Sequence, residues 1–341
     1  MAFERIDGII LDGGDDDLQS AVIDQPNGFA YFGTGGDSTR IIKVQLSDFT
    51  KVDSITLVEG ETNLRAAVID QPNGFAYFGD MSNPAKIAKI KLSDFTKEDM
   101  LELPVGDPWL ESACIDQPNG FAYFGTAASP AKIIKIKLSD FTKDAEIILE
   151  DGENEAKVGL IDQANGFAYF GLGTSPGKIV KIRLGDFARF AALTFETGED
   201  RAWAGGIDTI NGFAYFGTIL TPSKIIKVQL SDLTRTAMLA LPAGDNNVIR
   251  GIVDETNGFA YFGTNQATPR IIQLQLSDFT RVDKFFFADG ETTPYSVVLD
   301  APNQFIYWGT EASPARVVKT GTTLAPPSVG GHHSLIMGLG P

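Results

Sequence analysis

The chain has 341 residues, 43% of them hydrophobic and 24 of them phenylalanine, which is enough apolar surface for a large core. Its 44 acidic residues outnumber 28 basic ones, and the net charge of −16 disfavours nucleic acid and anionic membrane surfaces as partners. The single cysteine, Cys114, excludes an internal disulfide, and no apolar run approaches the ~18 residues of a membrane span.

Met1-Ala2-Phe3 opens without a charged-then-apolar leader, which leaves the compartment open. Phe3–Leu11 reads as a strand without local companions, a copy of a strand that recurs later, because Phe3 lies 46 residues before Phe49. Gln19–Asp24 is short and apolar and reads as an innermost strand, A. Gln25–Gly28 is a turn, since proline presets its first corner and Asn-Gly accepts positive φ. Phe29–Gly33 is strand B, with aromatic rings on both faces, as a strand sandwiched between neighbours requires. Arg40–Leu46 alternates as strand C, Ser47-Asp48-Phe49-Thr50 turns the chain, and strand D runs from about Lys51 to Val58.

The unit then repeats. Asp-Gln-Pro-Asn-Gly-Phe-Ala-Tyr-Phe-Gly occupies Asp24–Gly33, Asp70–Gly79 and Asp116–Gly125 unchanged, and altered copies begin at Asp162, Asp208, Asp254 and Asp300, each 46 residues from the last. Four strands per period and no helical pattern make each unit one blade, so the predicted fold is all-β, a seven-bladed β-propeller of four-stranded antiparallel blades. Ser296–Lys319 supplies only A, B and C, so the N-terminal strand is expected to join them and close the ring. One propeller domain over residues 1–320 is expected, followed by a Pro/Gly-rich tail or linker over 321–341 that holds both histidines, His332 and His333.

The turn-plus-strand motif, followed by Pro-Ala-Lys-Ile-Ile-Lys-Ile, resembles the repetitive propellers related to the YVTN and quinoprotein amine dehydrogenase-like folds. That resemblance covers residues 3–320 and implies a seven-bladed toroid. It implies no chemistry, because no cofactor-binding residue of those enzymes can be matched here. The Trp-Asp dipeptide of WD40 repeats is absent, and no double glycine recurs from copy to copy as in kelch repeats.

Two recurring polar columns suggest ion pairs. Each D strand is followed by Gly and an acid (Asp15, Glu61, Asp107, Glu153, Glu199, Asp245, Glu291), and each C strand begins with a base (Arg40, Lys86, Lys132, Lys178, Lys224, Arg270, Arg316). Because C and D are neighbours within a blade, the expected partners are Arg40 with Glu61, Lys86 with Asp107, and so on to Arg316 with Asp15, each worth about 0–1 kcal/mol if exposed. Asp24 and its equivalents are expected to cap the Asn-Gly turns, and the Ser-Asp-Phe turns to pair a capping carboxylate with an aromatic plug. Asp15-Asp16-Asp17 is the one acidic cluster with the look of a calcium loop, and no metal or cofactor is expected to depend on it.

Variation concentrates in the D-to-A and B-to-C connections, which share one rim. The sharpest column is the start of strand A, at the mouth of the central channel, where Gln19, Arg65, Glu111, Lys157, Trp203, Ile249 and Tyr295 are all different. Off-repeat aromatic and charged residues there make Arg65, Trp109, Glu111, Lys157, Arg201, Trp203, Arg250 and Tyr295 the candidate ligand-binding set. The reading is a monomeric, non-catalytic scaffold that binds a protein or small ligand at this mouth. Its alternatives are a hydrolase or lyase with Glu111 or Lys157 as acid–base group and Arg65 orienting an anionic substrate, a purely structural amplified or engineered module, and a lectin with equivalent pockets between blades. No histidine lies in the repeats, and no phosphate loop, dinucleotide fingerprint or nucleophile elbow is present. Cys114 stands in a column of Val22, Val68, Leu160 and Ile252 and is expected to be buried packing.

Overall fold

Alternation at a period of two does produce strands throughout, and their burial shows how the blades are layered. The computed structural model describes residues 2–36, 39–57 and 61–323. In the first blade, strand A is Leu18–Asp24, B Phe29–Thr34, C Arg40–Gln45 and D Thr50–Thr56, hydrogen-bonded in that order. Seven such four-stranded antiparallel sheets form the ring, with the A strands of successive blades packed together about the axis. Strand B is buried on both faces because another blade covers each side. Strand D of the third blade, Thr142–Ile148, alternates between exposed and half-buried residues at the outer edge.

The repeated motif builds the contact between blades. Gly28 takes φ 73°, which its missing Cβ permits, and Asn27 donates its side-chain amide to Asp24 at 2.9 Å, closing the turn. The adjacent glutamine crosses to the preceding blade: Gln71 Nε2 donates to the Ile23 carbonyl at 2.9 Å and Gln117 Nε2 to Ile69 at 2.8 Å. Phe141 of the Ser-Asp-Phe turn lies 5.5 Å from Tyr77, and Phe187 5.6 Å from Tyr123, each ring plugging against the blade before it.

The last glycine of the motif is set by close approach. A Cβ on Gly125 would sit 2.6 Å from the Ala156 Cβ in the next blade. Gly125→Ala is therefore expected to destabilise the ring by about 1–3 kcal/mol through overpacking. Urea unfolding followed by circular dichroism measures this, and an unchanged midpoint would contradict it.

Closure follows the expected three-plus-one scheme. Strand Ala2–Ile10 runs antiparallel to Arg316–Thr323, pairing Phe3 with Thr322 and Ile10 with Arg316, and so completes the sheet of Pro294–Asp300 and Phe305–Thr310. Gly321–Thr323 belong to that strand, and the rest of the expected tail, 324–341, lies outside the described residues.

The ion pairs differ from the expected ones. Asp15 pairs with Arg40 at 3.0 Å and Lys51 at 2.5 Å, and Asp107 with Lys132 and Lys143, both at 2.6 Å. Glu61 is held by Lys97 at 3.0 Å rather than by Arg40, and Glu291 by Arg5 at 2.9 Å, while Arg316 donates to the Asp289 carbonyl. The acid sits on the connection that leaves one blade and enters the next, and its side chain faces the blade it enters. Its backbone oxygen faces the blade it leaves, accepting the N–H of Ala85 at Asp107 and of Ala131 at Glu153. Each acid is thus a rivet between blades. These carboxylates are also buried, Asp15 to 0% and Asp107 to 1% exposure, so they are not surface pairs. The acidic trio does not converge, since Asp15 turns to Arg40 and Lys51 and Asp17 accepts the Gln19 amide.

Candidate channel-mouth site

The site begins where the seven A strands start. Gln19, Arg65, Glu111, Lys157 and Trp203, one repeat apart, and Arg250, one position further along its strand, surround one cavity of about 150 Å³. Arg65 Nη1 lies 3.0 Å from Glu111 Oε1, and Lys157 Nζ lies 3.6 Å from Glu111 Oε2 and 3.3 Å from Glu155. The Lys157 ammonium also sits 4.2 Å from the centre of the Trp203 ring, an inter-blade cation–π contact. Arg250 Nε donates to the Tyr295 carbonyl, Nη1 to its neighbour Ile249 at 2.9 Å, and its guanidinium stands 5.6 Å from the Tyr295 ring.

Electrostatics in the mouth are shaped by burial. Burial pushes the Arg250 guanidinium below its ordinary value; Glu111 opposes this and Arg65 adds to it. Burial also raises Asp17, which Gln19, Arg65 and Arg250 only partly offset. At the rim, Glu311 is raised by burial and then by Asp17, and Tyr295 is raised by burial.

Four buried polar atoms lining this cavity have no hydrogen-bond partner, Gln19 Oε1, Ser20 Oγ, Arg65 Nε and Ser296 Oγ, and a fifth, Glu111 Oε2, meets only the Lys157 ammonium at 3.6 Å. A buried polar atom left without a partner costs about 1–3 kcal/mol, so these atoms favour any polar group that enters the cavity.

The structure brings Arg65, Glu111, Lys157, Trp203 and Arg250 to the cavity. Tyr295 stands behind Arg250 and orients it rather than lining the cavity. Trp109 and Arg201 lie outside it on the rim. Trp109 is 42% exposed, and the Arg201 guanidinium is 5.9 Å from the Trp203 ring. Both have left-handed backbone, φ 54° and 60°, but so do Asp17, Asn63, Glu155 and Asn247 in the same column, so the strain belongs to the turn. Gln19, already named by the unlike column at the start of strand A, joins the site, and so do Ser20 and Ser296, which carry neither a charge nor a ring. The far end of the channel is apolar, lined by Val22, Val68, Cys114, Leu160 and Ile252, and Cys114 is buried there.

The charged side chains at the mouth are largely engaged with one another. Glu111 is clamped between Arg65 and Lys157, and Lys157 is committed to Glu111, Glu155 and Trp203. Among the described residues no group of three or more His, Cys, Asp or Glu side chains could hold a metal ion, and no helix is long and apolar enough to cross a membrane.

No protein-family model and no curated protein sequence matches the chain. Solved structures do. The chain is similar to the WD40 repeats of RRP9, with a TM-score of 0.76 at 10% identity over 94% of this chain and 99% of that one. It is similar to U3-55K with a TM-score of 0.75 at 10% identity over 94% of this chain and all of the other. At that identity the likeness establishes the seven-bladed propeller fold shared with WD40-repeat proteins.

Proposed function

We propose that the chain is a non-catalytic propeller scaffold that binds a protein partner at the channel mouth. The observation that carries this is the set of buried polar atoms without a hydrogen-bond partner at one cavity, Gln19 Oε1, Ser20 Oγ, Arg65 Nε and Ser296 Oγ. At about 150 Å³ the cavity is well below the ~300–1,000 Å³ of drug-sized ligand sites. It suits one polar side chain, inserted from a partner whose surface rests on Trp203 and the exposed Trp109. Trp203 acts as an aromatic anchor with Lys157 held against it, and Tyr295 backs Arg250 at the cavity wall. The solved WD40-repeat neighbours support a scaffold role by fold analogy. Seven ungapped blades keep kinship with the YVTN and quinoprotein amine dehydrogenase-like propellers within the reading. The acidic surface argues against nucleic acid, and the closed ring argues for a monomer.

Affinity capture with the wild-type chain and a Trp203→Ala/Tyr295→Ala double variant, in parallel, tests the proposal. Partners retained by the wild type and depleted about tenfold on the variant are expected, since Trp203 is lost as a contact and Arg250 loses the ring behind it. An identical partner set on both would refute the site. Retention of nothing by either would favour the purely structural reading.

A further inference from the structure

A second site lies between blades, where the repeat breaks its own rule. In six blades a lysine in the middle of strand C lies over the strand-B phenylalanine. Lys43, Lys89, Lys181 and Lys227 sit 4.0 Å from the ring centres of Phe29, Phe75, Phe167 and Phe213, Lys135 sits 3.7 Å from Phe121, and Lys319 3.8 Å from Phe305. The blade's tyrosine and the next blade's phenylalanine complete the cage: Lys43 is 5.8 Å from Tyr31 and 5.4 Å from Phe95. Behind the ammonium groups of Lys181, Lys227 and Lys319 stands the leading aspartate of the motif; burial pulls these groups down and the aspartate's charge opposes it.

The sixth blade has the cage without the lysine. Gln273 occupies the position, and its amide turns to the Tyr261 hydroxyl at 3.3 Å. Phe259, Tyr261 and the buried Asp254, 3% exposed, are all in place, and Phe3 from the closing strand packs against Tyr261 with ring centres 4.9 Å apart. Glutamine is one bond shorter than lysine and uncharged, and a cavity of about 400 Å³ opens beside it, with Asp254 and Asp283 at its wall.

We propose that this blade 6–blade 7 cavity binds a methylated ammonium cation, which takes the place that a lysine head fills in the six sibling blades. The aromatic faces supply cation–π attraction and Asp254 with Asp283 supply the counter-charge, the combination by which aromatic cages hold quaternary ammonium groups. The site is separate from the channel mouth and stands whether or not that reading does.

The experiment is an NMR titration with choline, followed at the Gln273 side-chain amide and the Phe259 ring. Saturable shifts at these residues are expected, with the neutral isostere 3,3-dimethyl-1-butanol weaker by about tenfold. Trimethyl-lysine amide runs as a second arm: tighter binding than choline assigns the site to a modified side chain, and weaker binding to a free small molecule. Gln273→Lys restores the residue of the other six blades, so it should fold, keep its melting temperature or raise it, and weaken choline by at least about tenfold by filling the cage. Phe259→Leu should lose preference for choline over the isostere. No saturation with either cation, equal binding of the isostere, or undiminished binding by a folded Gln273→Lys protein would overturn the proposal.

Discussion

A chain lacking residues 2–11 is expected to lose its single cooperative melt and to self-associate. That segment supplies the fourth strand of the last blade, and without it Arg316–Thr323 presents an unpaired edge, a template for pairing with another chain. Phe3 and Leu11 are buried, and losing the burial that each supplies costs roughly 1.5–3 kcal/mol. Glu291 loses Arg5 and is left as a buried carboxylate without its cation. Together these losses are a large part of the 5–15 kcal/mol that stabilises an ordinary domain. Size-exclusion chromatography with thermal melting by circular dichroism checks this, and a peptide of residues 2–11 added in trans should restore the monomer. A truncated chain that stays monomeric and melts cooperatively would contradict the closure role.

The blades were legible because seven copies of one pattern show which positions every blade needs. Phe29, Tyr31 and Phe32 recur, or are replaced by like residues, and they are the side chains packed between sheets. The partner of each acid was less legible. Adjacency of strands within a blade suggests Arg40 with Glu61, but a connection that passes from one blade to the next can face either, and only the ring geometry puts Arg40 on Asp15.

The mouth shows the same limit. Seven unlike residues at the start of strand A mark the site, and Arg65, Glu111, Lys157 and Trp203 line it. Trp109 and Arg201 stand two residues earlier and belong to the rim, because the left-handed turn separates them from the axis. Ser20 and Ser296 are functional candidates only through their unpaired hydroxyls, which no residue pattern reveals. The Lys-to-Gln exchange at Gln273 is visible in the repeat, yet its meaning depends on the rings around the other six lysines.

Replacing both Lys132 and Lys143 with Met is expected to cost about 3–5 kcal/mol, because Asp107 then stays buried with neither of its cations. Asp107→Asn should cost less, since the two lysines are partly exposed and can turn to water. Burial raises the Asp107 carboxyl, but hydrogen bonds and charge from Lys132 and Lys143 outweigh it and hold the group below its ordinary value; Arg189 does the same for Glu153. A depressed folded-state pKa gives stability that is full above the unfolded value, about 3.9 for Asp and 4.3 for Glu, and is lost as pH falls through the folded value. The wild-type melting temperature should therefore drop as pH falls below about 4. Asp107→Asn should flatten that dependence, having removed one of the groups that must take up a proton. Urea unfolding of both variants at pH 7, and melting from pH 7 down to 3, measure the two effects. A double Met variant as stable as the wild type would mean that Asp107 is satisfied by its backbone alone, and would remove the charge from the rivet between blades.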